Sequence, residues 1–441
     1  MPERFRPAWV EVDEAAIAQN TRLLGAIAAP ARLCAVVKAD GYGHGAARVA
    51  SAALAGGAER LAVALVEEAV ALREAGIGAP ILLLSEPPLE ALGEAVARKV
   101  AVTCYRREAI HALARAAKAQ GVLAEVQLKV DTGMHRVGAD ADAMTDLAEE
   151  IRAAPVLRLG GLWTHFAVAD DPEDPFTDLQ LARLKAASAM VRRAGIVPLS
   201  LHAANSAGTI AHPDARLDLV RCGIALYGHL PSEALAPRFR LEMERLERTL
   251  AHEPSMDDAP ASFGLVPALS LKAQVHLVRD LPAGESTSYG RAYRLEAPAR
   301  VAVLPLGYHD GVPRRLFETG AAVLIKGRRR PIAGAVTMDQ LLVDCGGDGD
   351  VEVGDEAVLL GRQGAEEITA EEWARRLGTI AYEVLCGIGA RVPRVGVACG
   401  DSIERWPRSR SWRAKPGPAS PARSPHLGPT SSSASEAQAP R

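Results

Sequence analysis

Aromatic residues are scarce in this sequence, at 4% of 441 residues, and long apolar runs are missing. A membrane-spanning helix needs about eighteen or more consecutive apolar residues, and no such stretch occurs. The first nine residues, MPERFRPAW, lack the apolar segment of a secretory signal peptide. These absences argue against a helical membrane protein and predict a cytoplasmic location.

A large excess of charge of either sign is also absent. The formal net charge is -3, with 24% charged residues, so we expect neither nucleic acid nor a membrane as partner. The six cysteines form no CxxC pair, which argues against a zinc cluster or a redox motif and fits a reducing compartment. The composition favours chemistry on a small molecule.

What the sequence does contain is a regular alternation of short apolar runs and Ala-rich, charged stretches from residue 30 to about 230. The runs predict eight strands, at residues 33–38, 61–65, 80–84, 100–103, 125–130, 157–163, 197–202 and 218–224. Helix-length segments lie between them, such as 66–76, 106–120, 140–153 and 178–194. Strands separated by helices pair in parallel with right-handed crossovers. Eight such units predict a (β/α)8 barrel with its site at the carboxyl ends of the strands.

After residue 263 the pattern changes to alternating strands and Pro-Gly turns, which predicts a mainly β C-terminal domain. Its one clear helix is predicted at Thr369–Leu377, where Thr369 and Glu372 have capping-box spacing. A strand at Val10–Val12 is expected to pair with this domain. The predicted division is an N-terminal strand in 1–12, the barrel in 13–232, a surface insertion in 233–262, the β domain in 263–400 and a disordered Ser/Pro/Ala/Arg-rich tail in 401–441.

Lys38 stands at the most informative point of the chain. An apolar, β-branched run leads directly into it, and three glycines interleaved with Tyr42 and His44 follow. A desolvated amine at a strand end loses its charge more easily than one in water, so it can attack a carbonyl and form a Schiff base. An ordinary surface lysine after a strand remains the alternative.

Nine segments in order carry a family resemblance. They are AVVKADGYGHG (35–45), LKVDTGMHRVG (128–138), THFAVAD (164–170), HAANSAG (202–208), RCGIALYG (221–228), SYG (288–290), PLGYHDGVPR (305–314), VTMDQ (336–340) and AYEVLCGIGARVPR (381–394). Together they resemble the alanine racemases over about residues 7–400. These are fold-type III enzymes that use pyridoxal 5'-phosphate (PLP), and they are dimers of an α/β barrel followed by a β domain.

The resemblance implies two opposed bases. Lys38 matches the lysine that binds PLP, and its amine becomes a base once substrate has displaced it. A racemase removes the Cα proton from one face and returns one to the other, so a second base is needed. The family supplies a tyrosine, which matches Tyr289 and acts at the partner subunit's barrel. A buried aromatic residue at a turn is the other interpretation of Tyr289.

Further residues match the family's cofactor site. Arg221 matches the arginine that faces the pyridine nitrogen; a guanidinium cannot accept a proton there, and an ion pair with Asp218 is the structural alternative. The expected phosphate ligands are Tyr42, Ser206, Gly223, Ile224 and Tyr382. Asn205 and Ser206 also fit a plain helix N-cap.

The substrate site is predicted in the same way. Arg136 matches the residue that grips the substrate carboxylate. Lys129 matches a lysine that can be carbamylated and then holds Arg136, although a Lys129–Asp131 ion pair is an open alternative. His165 is expected to lie near the cofactor ring and to bond toward Arg221.

The pocket walls are expected to be narrow. Tyr308 and Met338 match residues that line and close the pocket, which favours a small side chain. The sequence departs from the family pattern at His135, where glycine is common, at Cys222, where proline is common, and at Ala335, where arginine is frequent. The loss of that arginine leaves strict substrate selectivity open.

We therefore expect a homodimeric, PLP-dependent racemase of L- and D-alanine, with D-alanine supply for cell-wall peptidoglycan implied by the resemblance. A racemase acting more broadly on serine and other small amino acids is the first alternative. A non-catalytic PLP-binding barrel protein is the second.

Overall fold

The computed structural model describes residues 6–251 and 264–397. The chain enters through strand β1 (Ala8–Asp13) and continues into helix α1 (Glu14–Ala28). The Asp13 carboxylate accepts a hydrogen bond from the Ala16 N–H at 2.9 Å. Since a side-chain oxygen at this position satisfies a helix N–H that has no partner within the helix, Asp13 begins α1.

Eight parallel strands follow and form one sheet. They are β2 (Arg32–Val36), β3 (Arg60–Val63), β4 (Ile81–Leu83), β5 (Val100–Cys104), β6 (Ala124–Lys129), β7 (Leu157–Trp163), β8 (Leu201–His202) and β9 (Leu219–Cys222). Their order is β8-β7-β6-β5-β4-β3-β2-β9. The two ends meet, because the Asp218 N–H donates to the Leu201 carbonyl at 3.1 Å and the Arg221 N–H donates to the Ala204 carbonyl at 2.9 Å. The predicted (β/α)8 barrel is confirmed.

Helices surround the barrel. They are α2 (Lys38–Tyr42), α3 (Ala46–Ala55), α4 (Val66–Glu74), α5 (Leu92–Ala97), α6 (Arg107–Gln120), α7 (Met144–Ala153), α8 (Phe176–Arg193), α9 (Ser206–Ala211) and α10 (Ala236–Ala251). Short 3₁₀ turns lie at Leu89–Ala91, Ala141–Ala143, Pro213–Ala215, Ile224–Tyr227 and Glu233–Leu235. Within the described ranges, every helix is too short or too polar to cross a bilayer.

Helix α10 lies within the segment 233–262 that was predicted as a surface insertion. Its Met243 and Leu246 side chains are buried, and its Glu242 pairs with Arg216 at 2.7 Å. The helix therefore packs on the barrel core through one face. Residues 252–263 and the predicted tail at 401–441 lie outside the described residues.

The second domain is mainly β. Its strands are β10 (Leu269–Gln274), β11 (Leu277–Leu281), β12 (Ser286–Thr287), β13 (Tyr293–Arg294), β14 (Ala299–Leu304), β15 (Ala322–Ile325), β16 (Arg328–Pro331), β17 (Leu341–Asp344), β18 (Glu356–Gln363), β19 (Glu366–Ile368) and β20 (Arg394–Val397). Its helices are α11 (Ala370–Leu377) and α12 (Ala381–Cys386), and its 3₁₀ turns are Tyr289–Arg291, Tyr308–Asp310 and Arg314–Thr319. The Thr369 hydroxyl caps α11 by accepting the Glu372 N–H at 3.1 Å.

Strand β1 lies inside the large sheet of this domain. The sheet order is β16-β15-β18-β10-β1-β20, with β19 beside β18, and smaller sheets are β11-β14-β17 and β12-β13. Val10 faces Leu271 of the antiparallel β10 and Arg394 of the parallel β20. Strand β1 is therefore an interior strand of this sheet, and it joins β10 to β20.

Candidate active site

Lys38 lies at the carboxyl-terminal mouth of the barrel, directly after β2. Residues 39–41 have φ values of +53, +50 and +61°, so the chain makes a left-handed turn. The Glu68 carboxylate at the start of α4 accepts the Ala39 N–H at 2.6 Å and holds this turn. Burial and then the nearby Arg136 charge lower the pKa of the Lys38 amine, so it gives up its proton more readily than a solvated lysine does.

The glycine-rich loop brings α12 against this turn. Gly43 has φ +80°, and a Cβ there would lie 2.5 Å from the Leu385 carbonyl oxygen, so a larger residue would push α12 away. The Tyr42 ring lies 6.0 Å from the Tyr382 ring and 4.7 Å from the Tyr227 ring. Burial raises the pKa of the Tyr42 and Tyr382 phenols well above the ordinary value. Both are therefore hydrogen-bond donors rather than bases.

Hydroxyl and backbone N–H groups gather beside Tyr42. The Ser206 hydroxyl accepts the Gly223 N–H at 2.9 Å, and Gly223 and Ile224 begin the turn after β9. A Cβ on Gly223 would lie 2.5 Å from the Tyr42 hydroxyl oxygen, so only glycine fits. Such a set of close donors suits a phosphate group. The cap of α9 comes from Asn205, not Ser206.

Arg221 is buried, with 2% of its surface exposed. Its guanidinium donates to the Thr164 and Ala203 carbonyls at 2.8 Å and to His202 Nδ1 at 2.9 Å. His165 Nδ1 lies 3.4 Å away. Burial lowers the pKa of Arg221 to about 10, so it remains charged at neutral pH.

The ion pair between Arg221 and Asp218, left open by the sequence, does not form. The Asp218 carboxylate accepts the Leu201 N–H at 2.7 Å instead. Within the described residues, all hydrogen bonds of the Arg221 guanidinium go to neutral acceptors. The arginine thus carries its charge into the site without a carboxylate beside it.

Lys129 ends β6 and is 4% exposed. Its Nζ atom lies 4.5 Å from the Trp163 ring centroid, and Arg221 Cζ lies 4.6 Å from a centroid of the same residue. Burial, followed by the charges of Arg221 and Arg136, lowers the pKa of Lys129 to about 7. A large fraction of this amine is therefore neutral at physiological pH.

The Lys129–Asp131 ion pair, the other alternative from the sequence, is not formed either. The Asp131 carboxylate accepts the N–H groups of Gly133 and His135 at 2.9 and 3.1 Å, and it pairs with the His135 ring at 3.4 Å. In the described part of the chain, the nearest charged neighbours that act on Lys129 are therefore mostly cations.

Arg136 lies on the exposed rim of the mouth. Among the described residues no hydrogen bond or ion pair engages its guanidinium, yet its charge lowers the pKa of Lys38, Lys129 and His165. His165 is held neutral, because burial and Arg221 keep its pKa well below the ordinary value. The mouth is a positive field suited to an anionic ligand.

The remaining predicted residues lie on one face of the β domain. Three large side chains are exposed there: Tyr289 (70%), Met338 (52%) and Tyr308 (42%). The Ser288 hydroxyl donates to the Ala335 carbonyl at 2.5 Å, and the Tyr308 N–H donates to the Thr337 carbonyl at 2.9 Å. These bonds hold the three loops side by side.

A buried carboxylate fixes this face. Arg391 Nε and Nη2 donate to Asp310 at 2.6 and 3.1 Å, and Arg6 pairs with Asp310 at 2.8 Å. Burial alone raises the pKa of Asp310, but the hydrogen bonds from Arg391, the Gly307 N–H and Arg6 together outweigh it and the pKa is lowered. Arg391 also donates to Asp339 at 2.6 Å, which ties the Met338 loop to the same cluster.

Three residues of the mouth were missed from the sequence. Trp163, His202 and Gln127 are buried polar or aromatic side chains on β7, β8 and β6. The available signal was their position near the end of a strand, as in His202-Ala203-Ala204-Asn205. That signal is weak, because a histidine or tryptophan in a core strand is common.

The chain is similar to known proteins over both of its domains. The family model for the alanine racemase N-terminal domain matches residues 12–231, and that for the C-terminal domain matches residues 268–396. An alanine racemase of Symbiobacterium thermophilum is 45% identical over 390 residues, which is 88% of this chain and 97% of the relative. One from Streptomyces coelicolor is 42% identical, covering 88% and 96%.

The chain is also similar to solved structures. An alanine racemase from D-cycloserine producing Streptomyces lavendulae is 38% identical with a TM-score of 0.79, covering 90% of this chain and 98% of that one. A histidine racemase from Leuconostoc mesenteroides is 27% identical with a TM-score of 0.78, covering 90% and 99%. With both family domains matched in order over one barrel and one β domain, the chain belongs to the alanine racemase family.

Proposed function

We propose that this chain is a PLP-dependent enzyme that interconverts L-alanine and D-alanine in the cytoplasm. The observation that carries the proposal is that two residues lie at the same barrel mouth. Lys38 has a lowered pKa, and Arg221 has no carboxylate partner among the described residues. The five described cysteines are all free thiols, which fits a reducing compartment.

The donor set fits the cofactor. Lys38 would hold it covalently through its amine, and Tyr42, Ser206, Gly223, Ile224 and Tyr382 would bind its phosphate. When bound, PLP withdraws electrons from the substrate and so acidifies the Cα–H bond. Arg221 would face the ring nitrogen, and because a guanidinium has only donors it cannot take a proton from that site.

Proton transfer needs one base on each face of the substrate Cα. Lys38 would serve one face. Tyr42 and Tyr382 are unsuitable for the other, because burial raises the pKa of both phenols. We assign the second role to Tyr289 of the partner subunit. With 70% of its surface exposed on its own chain, this side chain is available to a neighbouring barrel.

The same reasoning supports a homodimer with shared active sites. Tyr289, Tyr308 and Met338 form an exposed face that the Asp310 cluster holds rigid. In a dimer, this face of one subunit would lie against the barrel mouth of the partner subunit. A two-fold interface would complete two active sites at once.

We infer how substrate binds from the charged residues at the mouth and from the residues that line the pocket. Arg136 would hold the substrate carboxylate through its planar fork. Lys129, with its pKa near 7, has a neutral amine that can react with CO₂, and the resulting carbamate would hold Arg136 in place. A narrow pocket walled by Tyr308 and Met338 would admit small side chains best.

A broader racemase for small amino acids is the second candidate. Ala335 stands where the family often has arginine, and a histidine racemase shares the fold with a TM-score of 0.78. The barrel therefore tolerates other substrates. A non-catalytic PLP-binding barrel fits less well, because it would leave the exposed face of the β domain without a role.

One assay separates these candidates. Purified protein is incubated with a panel of L-amino acids, with and without added PLP, and each product is resolved by chiral chromatography. We expect D-alanine to form fastest and to depend on PLP. Comparable rates for serine would favour the broader enzyme. Absence of any D-amino acid, or full activity of Lys38→Ala, would refute the proposal.

A further inference from the structure

A line of hydrogen-bonded side chains runs beneath Arg221 through the barrel. Arg221 Nη1 donates to His202 Nδ1 at 2.9 Å. His202 Nε2 lies 3.1 Å from Gln127 Oε1, and Gln127 Nε2 donates to Glu125 Oε1 at 2.8 Å. Three of these four side chains are almost completely buried, at 0 to 2% exposure: Gln127, His202 and Arg221.

Each bond in this line has only one workable direction. A guanidinium has no acceptor, so His202 Nδ1 must accept. The ring is neutral, because burial and Arg221 keep the pKa of His202 well below its ordinary value. Its proton therefore lies on Nε2 and is donated to the Gln127 oxygen. The Gln127 amide nitrogen is left facing Glu125, where it donates to a carboxylate.

The line of hydrogen bonds ends at Glu125, which two arginines hold in place. This residue lies near the amino end of β6, where Arg60 and Arg158 each donate to it at 2.8 Å. Burial alone raises the pKa of Glu125, but the charge of Arg60 and the hydrogen bonds from Arg60, Gln127 and Arg158 together outweigh it, so the pKa is lowered. The carboxylate is thus charged, and the line joins a negative charge at one end of the barrel to a positive charge at the other.

Strand β7 makes room for these side chains. A Cβ on Gly160 would lie 2.4 Å from Glu125 Cγ, and a Cβ on Gly161 would lie 2.2 Å from Gln127 Oε1. A Cβ atom cannot approach another heavy atom to within about 3 Å, so any other residue at either position would displace the line. The register of β6 and β7 also shifts between Val126 and Gln127, which places both glycines beside the line.

We propose that Gln127 is a positioning residue for Arg221, acting through His202, and that Glu125 fixes the orientation of Gln127. The inference rests on the proposed function, since it takes Arg221 as the group that faces the cofactor ring. The line ends at a carboxylate that Arg60 and Arg158 already neutralise, so it acts on Arg221 through hydrogen bonds and not through charge. It holds the guanidinium in position without offering a proton acceptor close to the cofactor.

The loss of the Gln127 side chain would affect Arg221 through His202. Without its oxygen the buried Nε2–H of His202 has no acceptor, and leaving such a group unpaired is costly. The ring would turn toward another partner, and Arg221 would lose the hydrogen bond that holds Nη1. Arg136 and Lys38 are not part of the line, so substrate affinity should change little.

The first test detects the hydrogen bonds of His202 directly and does not depend on catalytic activity. Nitrogen NMR of protein labelled at histidine reports which ring nitrogen carries the proton, with His202 assigned from its absence in His202→Asn. We expect a neutral ring protonated on Nε2 in the wild type, and a shifted, faster-exchanging Nε2–H in Gln127→Leu. Thr103→Val, a buried polar-to-apolar change on the neighbouring strand, is the matched control and should leave the signal unchanged. A wild-type proton on Nδ1 would overturn the proposal.

The second test measures catalysis per molecule of bound cofactor. For Gln127→Leu we expect kcat with alanine to fall by about tenfold, as is common for partners of site ligands, with KM changed by less than about twofold. Glu125→Gln keeps the shape and removes only the charge, so it should lower kcat by a smaller factor; it also serves if Gln127→Leu does not fold. Wild-type kcat per bound cofactor in both variants would overturn the proposal. Inactive wild-type protein would refute the proposed function instead. The NMR result would still show whether the hydrogen-bonded line through His202 exists.

Discussion

The shared active site can be tested by mixing two inactive variants. Lys38→Ala removes the amine of the barrel, and Tyr289→Phe removes the phenol on the β domain. If each site joins Lys38 of one subunit to Tyr289 of the partner subunit, a mixed dimer contains one site with both changes and one with neither. The intact site should restore activity that neither parent has.

The size of the recovery follows from the symmetry. Random reassortment of equal amounts makes half of the dimers mixed, and each mixed dimer has one intact site of two, so about a quarter of wild-type activity should return. Removal of a general base costs about 10² to 10⁴ in rate, so each parent should retain no more than about 1%. The signal is then at least about twentyfold above background.

The assay follows racemisation in the direction that Tyr289→Phe impairs more. The variants are mixed, partly unfolded with urea, refolded together and supplied with PLP. Mixing Lys38→Ala with the double variant Lys38→Ala/Tyr289→Phe is the control, and it should give no recovery because no intact site can form. If the first mixture stays at the level of its parents although mixed dimers are seen by native mass spectrometry, the two residues do not share a site across subunits.

Three further predictions concern single residues. Lys129→Met should raise the midpoint of thermal unfolding at pH 6, and should raise it less near pH 10. A lysine with a folded pKa near 7 destabilises the fold most where its amine is protonated, and this destabilisation decreases as the pH rises. An equal effect at both pH values, in CO₂-free buffer, would contradict this prediction. Gly223→Ala should weaken PLP binding at least about tenfold in a fluorescence titration, because its Cβ would collide with the Tyr42 hydroxyl; unchanged affinity would argue against the phosphate site. Asp310→Asn should lower the urea midpoint of unfolding, since one amide oxygen cannot accept all the hydrogen bonds that Arg391 and the Gly307 N–H donate to the buried carboxylate; an unchanged midpoint would mean that this cluster does not hold the face.

Most of the fold followed from apolar patterning. All eight predicted barrel strands are present, because strands buried on both sides are rich in apolar residues. The largest boundary error is the strand predicted at 197–202, of which only Leu201–His202 is formed. Val197 and Leu199 are more than 60% exposed, so their apolar character reflects a surface loop and not a core strand.

The candidate site was predictable only in part. Lys38 stands out because it follows an apolar strand, and the family resemblance supplied Arg221 and most of their neighbours. Gln127 and Glu125 were not found, since their partners lie on other strands far away in the sequence. The packing of the helix Ala236–Ala251 on the barrel was also not predicted, because its apolar face is carried by few residues such as Met243 and Leu246.

The sequence alone was enough to place Lys38 at the barrel mouth, because the carboxyl ends of parallel strands always lie on the same side of the sheet. Only the tertiary structure decided the charges and partners of the side chains there. Lys129 becomes a weakly basic amine and Arg221 is left without a carboxylate because closure of the barrel buries both and brings cations from separate strands together. Burial and neighbouring charge set a pKa, and both exist only in the folded chain.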